Sequence, residues 1–260
     1  MRRLILEEPL SKAAAASRRI AIFALLVALA SVLASRAEGG QDALGPLAAF
    51  AAALILAGIA LLLASAAAVE IWNTGRRGIA PAFTGAALAL GLLAYPVYLA
   101  VQAERLPRLS QATTDYRKPP AFMISSRARE ARGAWTPPPP NPDDEAAQRA
   151  TWPQLAPIQV DLEPEQAYRM SLRIAKDLGW RVVDATGPNL RGEAEAQMEV
   201  SDRSLFFGFV SEIAIRIRPQ GVKTQIDLRS VSRIGAHDFG ANARRILKFA
   251  AAVQASTEAR

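Results

Sequence analysis

The sequence contains no cysteine, and His237 is its single histidine among 260 residues. Without cysteine the chain can form no disulfide, no thiolate zinc site and no cysteine nucleophile. With one imidazole, sites that need two histidines, such as the zinc motif H-E-x-x-H, are excluded as well. We therefore expect no metal site and no cofactor.

Blocks of basic residues are also missing. The formal net charge is +7, with 8 basic and 5 acidic residues before Glu104 and 23 basic and 19 acidic residues from Glu104 onward. Nucleic-acid-binding proteins gather Lys and Arg on one face or in one run. Because the basic residues here are interleaved with Asp and Glu, we expect no nucleic-acid partner.

Long apolar runs, by contrast, fill the first hundred residues. A helix that crosses the hydrocarbon core of a bilayer needs about 20 mostly apolar residues. Three uncharged runs meet or approach this length and predict transmembrane helices at about residues 20–35, 44–69 and 79–103. The sequence thus predicts a membrane domain over residues 1–103, with the lipid bilayer as its partner.

The first run is short, and Ser35-Arg36-Ala37 at its end resembles a signal-peptidase site, so cleavage stays an alternative to an uncleaved anchor. No ionisable residue lies inside the three runs, and Glu70 is at the edge of the second. Ionisable residues mark ion and substrate pathways in membranes. The pattern therefore predicts an anchor rather than a transporter or a proton pump.

The basic residues around the runs predict the orientation. Cytoplasmic segments carry an excess of Lys and Arg. Five basic residues precede the first run, Arg36 alone lies in the first loop, and Arg76 and Arg77 lie in the second. The amino terminus is therefore predicted in the cytoplasm, and three spans carry the carboxy-terminal part to the opposite side. Arg105 and Arg108, just after the third run, are contrary indications.

Residues 104–153 are predicted to be a proline-rich linker that leads into the folded domain. Two proline clusters, Pro119-Pro120 and residues 137–140, favour stiff polyproline II segments. No apolar periodicity in this stretch is long enough for a core helix. We expect it to act as a spacer and to dock, rather than to fold alone.

Residues 154–260 are predicted to form a soluble α+β domain. Pro164 and Gly179 bracket a helix, since Pro favours the first turn and Gly follows the last. A closing helix is expected from about Asp238 to Ala255. Alternating apolar and charged residues predict strands, which lie near residues 158–162, 180–184, 190–199, 212–218 and 223–234. The expected fold is a two-layer antiparallel sheet with two helices on one face, and acidic residues of the 190–199 strand are expected opposite arginines of neighbouring strands.

The stretch "RSVSRIGAHDFGANARRI", residues 229–246, carries the candidate functional residues. It joins the end of the last strand to the closing helix, with Asp238 as a predicted N-cap. Ser230 and Ser232 share the parity of Leu228, so they are expected to point inward. One interpretation is a polar seam that holds the domain together. The alternative is an anion-binding pocket formed by five side chains: Arg229, Arg233, Asp238, Asn242 and Arg245.

A hydrolase based on a serine, His237 and Asp238 is disfavoured. Adjacent side chains diverge from the backbone, whereas a catalytic triad needs the acid behind the imidazole and the serine in front of it. The sequence also has no G-x-S-x-G motif. We therefore assign no catalytic residue and expect a protein that is not an enzyme.

The same stretch, with "TTDYRKPPAF" upstream and "GFVSEIAIRIRP" between, resembles the domain-of-unknown-function 1499 (DUF1499) family over residues 106–253. Members from proteobacteria often carry a similar membrane part. Two positions depart from the family pattern: Gln111 stands where Asp is expected, and Glu212 is the only acid where two are expected. The resemblance implies an α+β domain and a bacterial envelope location but no established activity.

Together these observations predict a multi-pass protein of the bacterial inner membrane that presents a periplasmic binding or interaction domain. Its expected partners are the bilayer and either an envelope protein or a small anionic ligand. The alternative is an envelope enzyme or anion-binding protein that uses the polar residues between Arg229 and Arg245.

Overall fold

The computed structural model describes residues 9–39, 43–188 and 195–258. It divides into two compact units, Met1–Val101 and Gln102–Arg260. The first unit consists of long apolar helices. The second is an antiparallel sheet with helices, so the α+β class predicted from the sequence is confirmed.

Three helices in the described residues are long and apolar enough to cross a membrane, as predicted. They are α1 (Lys12–Ala37), α2 (Leu44–Thr74) and α3 (Ile79–Arg105). Helix α1 begins eight residues before the predicted span because Ser11 caps it, accepting a hydrogen bond from the Ala14 amide at 3.3 Å.

Small residues allow the three helices to approach closely. Buried alanines of all three pack together, namely Ala21, Ala24, Ala57, Ala60 and Ala89. A Cβ placed on Gly85 would lie 2.2 Å from the Ser17 hydroxyl oxygen, so that helix crossing requires glycine. Packing of this type stabilises helix association in lipid, where no hydrophobic difference drives it.

The second unit contains six strands and four helices among its described residues. In chain order they are β1 (Gln111–Thr113), α4 (Ser126–Arg132), α5 (Asp144–Thr151), β2 (Ile158–Val160), α6 (Pro164–Asp177), β3 (Arg181–Thr186), β4 (Ala196–Arg203), β5 (Val210–Gln220), β6 (Lys223–Ser232) and α7 (Ala241–Glu258). The strand order is β1-β6-β5-β4-β3, and β2 pairs with the other end of β6. All pairings are antiparallel.

One face of the sheet is apolar and carries α6 and α7. Alternate residues of β5 and β6, such as Ile215 and Leu228, are completely buried there. Trp180 stacks on Phe249 of α7 with ring centroids 5.7 Å apart. This is the arrangement that strand alternation predicted, with two helices laid on the apolar face.

The opposite face is charged, yet it is buried too. Arg216, Asp227 and Glu199 are at most 4% exposed. The segment between β1 and β2, with α4 and α5, supplies their partners on this side. Residues 104–153, predicted to act as a spacer and to dock, contribute a strand and a buried layer. They contact distant residues of the sheet as well as one another, as in the hydrogen bond from Tyr116 to Gln148.

Several boundaries differ from the sequence-based expectations. Strand β4 extends from Ala196 to Arg203, beyond the predicted end at Glu199. The predicted part of this strand at 190–194 lies outside the described residues, as does Asn189 of Gly187-Pro188-Asn189, where the sequence favours a hairpin turn. Strand β6 ends at Ser232 rather than Ile234. Helix α7 begins at Ala241, because Phe239 (φ 52°) and Gly240 (φ 76°) adopt left-handed conformations that interrupt the helix.

Candidate functional site

Asn242 is the centre of a polar cluster between the sheet and α7. Its side chain is completely buried and uses all four of its hydrogen-bonding positions. The Oδ1 atom accepts from the Ser230 hydroxyl and from Arg245 Nη1, both at 2.8 Å. The Nδ2 group donates to the Ser110 carbonyl at 2.9 Å and to the Ser232 hydroxyl at 3.0 Å. We call this cluster the polar seam; it consists of Asn242, Ser230, Ser232, Arg245, the Ser110 carbonyl and Asp202, which bonds Arg245.

Arg245 closes the polar seam toward β4. Its Nε donates to Asp202 Oδ2 at 2.7 Å, and its Nη1 also donates to the Ser230 hydroxyl at 3.2 Å. The guanidinium is 9% exposed, whereas the Asp202 side chain is 29% exposed. The arginine therefore links β4, β6 and α7, and the inward direction predicted for Ser230 and Ser232 is confirmed.

Asp238 holds the start of α7. Its two carboxylate oxygens accept hydrogen bonds from the Gly240 and Asn242 amides, each at 2.8 Å. Its own amide donates to the Leu109 carbonyl at 2.8 Å. The carboxylate therefore bonds an amide of the first turn of α7, as a cap does, although Phe239 and Gly240 separate Asp238 from the start of the helix at Ala241.

His237 is part of the same turn rather than of a catalytic set. Its Nδ1 accepts a hydrogen bond from the Phe239 amide at 2.9 Å, and its ring stacks on Phe239 with centroids 4.5 Å apart. The Nε2 atom is buried and has no hydrogen-bond partner among the residues that the structure describes. Since Asp238 caps the helix, it does not orient this imidazole as a triad acid would.

A second polar cluster lies on the charged face, which we call the covered charged face. Arg216 on β5 stands directly opposite Asp227 on β6 and donates to its Oδ2 at 2.7 and 3.2 Å. Asp115, which follows β1, accepts from Arg216 at 3.2 Å and from Arg218 at 3.3 Å. The pair of Arg216 and Asp227 joins two directly opposite residues of neighbouring strands, although the acid belongs to β6 and not to the 190–199 strand for which such pairs were predicted.

Glu199 of β4 was predicted to pair with an arginine of a neighbouring strand, and this prediction is wrong. Its carboxylate instead accepts from Arg132, at the end of α4, and from the Met123 amide at 2.9 Å. Arg132 also donates to the Met123 carbonyl at 2.7 Å. Arg132 lies 67 residues away in the segment between β1 and β2, which we call the covering segment. Glu199 has no charged residue opposite it on β5, because its partner in the sheet register is Ala214.

Glu212 and Arg233 form the next ion pair of the covered charged face. Both side chains are at most 9% exposed, and Arg233 donates two hydrogen bonds to the same oxygen, Oε1. The second oxygen, Oε2, is buried and accepts no hydrogen bond within the described part of the chain. Burial therefore raises the pKa of Glu212 above its usual range, and the Arg233 charge offsets only part of this effect.

Arg233 is held further by the covering segment. It donates to the carbonyls of Ala131 and Arg132 at 3.2 and 3.3 Å, and its guanidinium lies over the Trp135 ring at 5.3 Å. The hydrogen-bond donors of Arg233 are therefore engaged within the domain, and its charge is paired with Glu212 and the Trp135 ring. These contacts connect the end of β6 to the end of α4.

Arg229 completes the covered charged face without an acidic partner among the described residues. It donates to Gln111 Oε1 at 2.8 and 3.2 Å and to the Pro138 carbonyl, and it lies over the Phe122 ring at 5.4 Å. Burial lowers its pKa to about 10. A buried guanidinium compensated only by neutral groups is unusual.

The sheet separates the five predicted site residues. Arg229 and Arg233 belong to the covered charged face, Asn242 and Arg245 belong to the polar seam on the other side, and Asp238 caps α7. They do not converge on one open cleft, so ligand binding by the whole set stays a prediction.

The sequence did not predict a role for Gln148, which is 1% exposed. Its side-chain amide bonds the backbone of β1 as the next strand of a sheet would. Its amide exchanges two hydrogen bonds with the Thr113 backbone, at 2.8 and 3.0 Å. Its Oε1 also accepts from the Tyr116 hydroxyl at 3.1 Å, and burial is the main cause that raises the Tyr116 pKa to about 12. No local signal distinguishes Gln148 from the exposed residues around it in α5.

A family model described as "Protein of unknown function (DUF1499)" matches residues 111–253, more than half of the chain. The chain belongs to the DUF1499 family. Its match begins at β1 and ends within α7, so it includes the covered charged face and every side chain of the polar seam. No curated protein and no solved structure matches the chain.

Proposed function

We propose that this protein is a membrane-anchored binding or interaction protein of the bacterial inner membrane, and that its DUF1499 domain stands in the periplasm. The excess of basic residues before the first span and the odd number of spans support this orientation. The protein would present a stable domain to a partner of the envelope rather than catalyse a reaction.

The observation that carries this proposal is the internal use of the polar side chains. Asn242 makes four hydrogen bonds within the domain, and Arg233 is committed to Glu212 and to two carbonyl groups. Groups engaged in this way stabilise the fold. The function is therefore assigned to the exposed surface of the domain and not to the buried polar clusters.

The orientation can be tested with single cysteines, since the chain has none of its own. Val222→Cys labels the domain, Glu38→Cys the first loop, and Asn73→Cys the end of α2; all three positions are exposed. In spheroplasts, a membrane-impermeant maleimide should react with cysteines at 222 and 38, and with the cysteine at 73 only after permeabilisation. The reverse pattern would place the domain in the cytoplasm.

The structural role of the buried polar groups can be separated from a binding role with Arg233→Ala. Removal of this arginine leaves Glu212 buried without its counter-charge, so we expect a loss of about 3 kcal/mol in unfolding free energy. Any cellular phenotype should then follow the loss of folded protein. Arg169→Ala, at an arginine that is 73% exposed, is the matched control. An unchanged unfolding curve together with a lost phenotype would contradict the proposal.

A second candidate function is anion binding beside Arg229, one of the five side chains of the anion pocket that the sequence left open as an alternative. The observation that favours it is the absence of an acidic partner for this buried guanidinium in the part of the chain that the structure describes. Phosphate, sulfate and citrate should then raise the melting temperature of the full chain in detergent. The effect should vanish in Arg229→Gln and persist in Arg169→Ala.

A further inference from the structure

The loop between β4 and β5, residues 204–209 with the sequence "SLFFGF", exposes apolar side chains at one end of the sheet. Leu205 is 82% exposed and Phe206 is 43% exposed. Neighbouring exposed apolar residues of this size mark protein or membrane contact sites, whereas single ones are ordinary on a protein surface. We call residues 204–209 the apolar loop.

The apolar loop is a defined structure. The backbone of Ser204 exchanges hydrogen bonds with Phe209 and Gly208, at 2.9 and 3.1 Å, and the Ser204 hydroxyl accepts from the Phe209 amide at 2.9 Å. Gly208 has a φ of 71°, and Phe207 stacks on Phe209 with ring centroids 5.2 Å apart. These contacts hold the base of the loop, so that Leu205 and Phe206 are presented without a large ordering cost on binding.

The strand registers place the apolar loop at the end of the sheet where the chain arrives from the third span. Arg203 pairs with Val210 at the base of the loop, and the Arg233 amide donates to the Val210 carbonyl at 3.0 Å. At the same end, the Ser232 amide donates to the Ser110 carbonyl at 3.0 Å. The loop and the incoming chain therefore share one end of the domain.

The connection to the third span is short. Helix α3 ends at Arg105, and Ser110 already bonds the end of β6. Five residue steps reach at most about 18 Å when extended. The shortness of this connection is the observation from which we infer a contact between this end of the domain and lipid.

We propose that the apolar loop inserts Leu205 and Phe206 into the interfacial region of the bilayer and so fixes the domain against the lipid surface. Short apolar tips and amphipathic segments bind at this depth when basic residues contact the headgroups around them. Arg203 beside the loop and Arg105 and Arg108 in the connection are exposed and would supply this charge. Headgroup contact also gives a role to Arg105 and Arg108, which are contrary to the predicted orientation.

The opposite end of the sheet offers a matched control. Val222, in the turn between β5 and β6, is 98% exposed and is flanked by Gly221 and Lys223. It is at least as exposed as Leu205 but lies at the opposite end of β5 and β6 from the incoming chain, since Gln220 pairs with Lys223 there.

The test uses the full chain in nanodiscs of phosphatidylethanolamine and phosphatidylglycerol. Leu205→Cys, Phe206→Cys and Val222→Cys, each the only cysteine in its chain, are labelled with an environment-sensitive fluorophore. Acyl chains that carry a doxyl group serve as quenchers. We expect blue-shifted emission and at least twofold quenching at 205 and 206, with water-like emission and no quenching at 222.

Two outcomes would overturn the proposal. Water-like emission at 205 and 206 would mean that the apolar loop stays in solvent. Blue-shifted emission that is not quenched by the doxyl lipids, but that depends on the number of chains per disc, would assign the loop to a second copy of the protein. Neither outcome depends on which side of the membrane the domain occupies, so the cysteine accessibility experiment remains an independent test of orientation.

A variant experiment tests the consequence for the domain. Leu205→Asp combined with Phe206→Asp changes exposed positions, so the urea unfolding curve should stay unchanged while the docking contact is lost. With the fluorophore at position 222, the anisotropy decay of the domain should become at least twofold faster in this variant. An unchanged decay would show that the apolar loop does not fix the domain.

Discussion

Arg229 donates two hydrogen bonds to the side-chain oxygen of Gln111, at 2.8 and 3.2 Å, across the pairing of β6 with β1. Both side chains are buried, with 5% and 7% of their surface exposed. A neutral amide thus faces a buried guanidinium at the position where the family resemblance predicts Asp. The same pair joins the first and the last strand of the sheet, which are more than a hundred residues apart.

Gln111→Glu should stabilise the domain. Glutamate has the length of glutamine, so its carboxylate can accept the same two hydrogen bonds and add an opposite charge. This gain should exceed the loss of the hydrogen bond that Gln111 Nε2 donates to the Pro139 carbonyl at 3.2 Å. We expect the unfolding free energy to rise by about 1 kcal/mol at neutral pH. Urea unfolding of the full chain in detergent, followed by the fluorescence of Trp135, Trp152 and Trp180, measures it. Gln254→Glu, at an exposed position of α7, should change little. A loss of stability would show that the neutral surroundings already suit Arg229.

Asn242→Ala should be among the most destabilising single changes in the domain. The substitution leaves the Ser110 carbonyl, two serine hydroxyls and one donor of Arg245 without their common partner. A buried polar group left without any partner costs about 1–3 kcal/mol. Because the Ser110 carbonyl and Arg245 keep other hydrogen bonds, we expect a total loss of about 3 kcal/mol in unfolding free energy in the same assay. Asn141→Ala, at an exposed turn, should cost less than about 1 kcal/mol. Equal effects at the two positions would contradict the central role of Asn242.

Glu212→Gln should remove a pH-dependent component of stability. Because burial raises the pKa of Glu212 in the folded state above its ordinary value of 4.5, the folded chain binds this proton more tightly than the unfolded chain. Its stabilising contribution is therefore complete below pH 4.5 and is lost as pH rises through the raised pKa. Unfolding free energies between pH 4 and 8 should show the wild type losing stability relative to Glu212→Gln across this window, by up to about 1.4 kcal/mol per pH unit.

Glu165→Gln is the control for that comparison, since Glu165 is 46% exposed in a surface pair with Arg169. Its difference from the wild type should be nearly flat over the same pH range. If the wild type instead gains stability relative to Glu212→Gln as pH rises, the Arg233 charge outweighs burial and lowers the pKa of Glu212.

Asp238→Ala should cost about 1 kcal/mol through loss of the cap of α7. The carboxylate accepts from two amides at the start of the helix, and alanine leaves both without this partner. Asp238→Asn keeps one side-chain oxygen and should recover part of the loss. Asp161→Ala, where the side chain is 80% exposed, is the control and should be close to neutral. A neutral Asp238→Ala variant would show that the turn through Phe239 and Gly240 positions the helix by itself.

Local patterns predicted the elements that carry their own signal. The three apolar helices follow from the length of the apolar runs. A run of about 20 apolar residues is long enough to cross a bilayer, and a helix satisfies its backbone hydrogen bonds there. Helix α6 follows from Pro164 and Gly179, and the buried face of β5 and β6 follows from strict alternation. The inward serines and the cap at Asp238 were also predicted, since parity and capping depend on neighbours in the chain.

The tertiary structure alone decided how the charged side chains are paired. Glu199 finds Arg132 at a separation of 67 residues, and Arg229 finds Gln111 at a separation of 118. The proline-rich segment forms the layer over the covered charged face although it has no periodicity of its own. Periodicity predicts which face of a helix or strand is buried, but it does not predict which distant segment covers that face. The sequence by itself therefore determined the three apolar helices, the fold class and the inward serines of the polar seam, while three-dimensional packing determined that the five predicted site residues lie on two sides of one sheet.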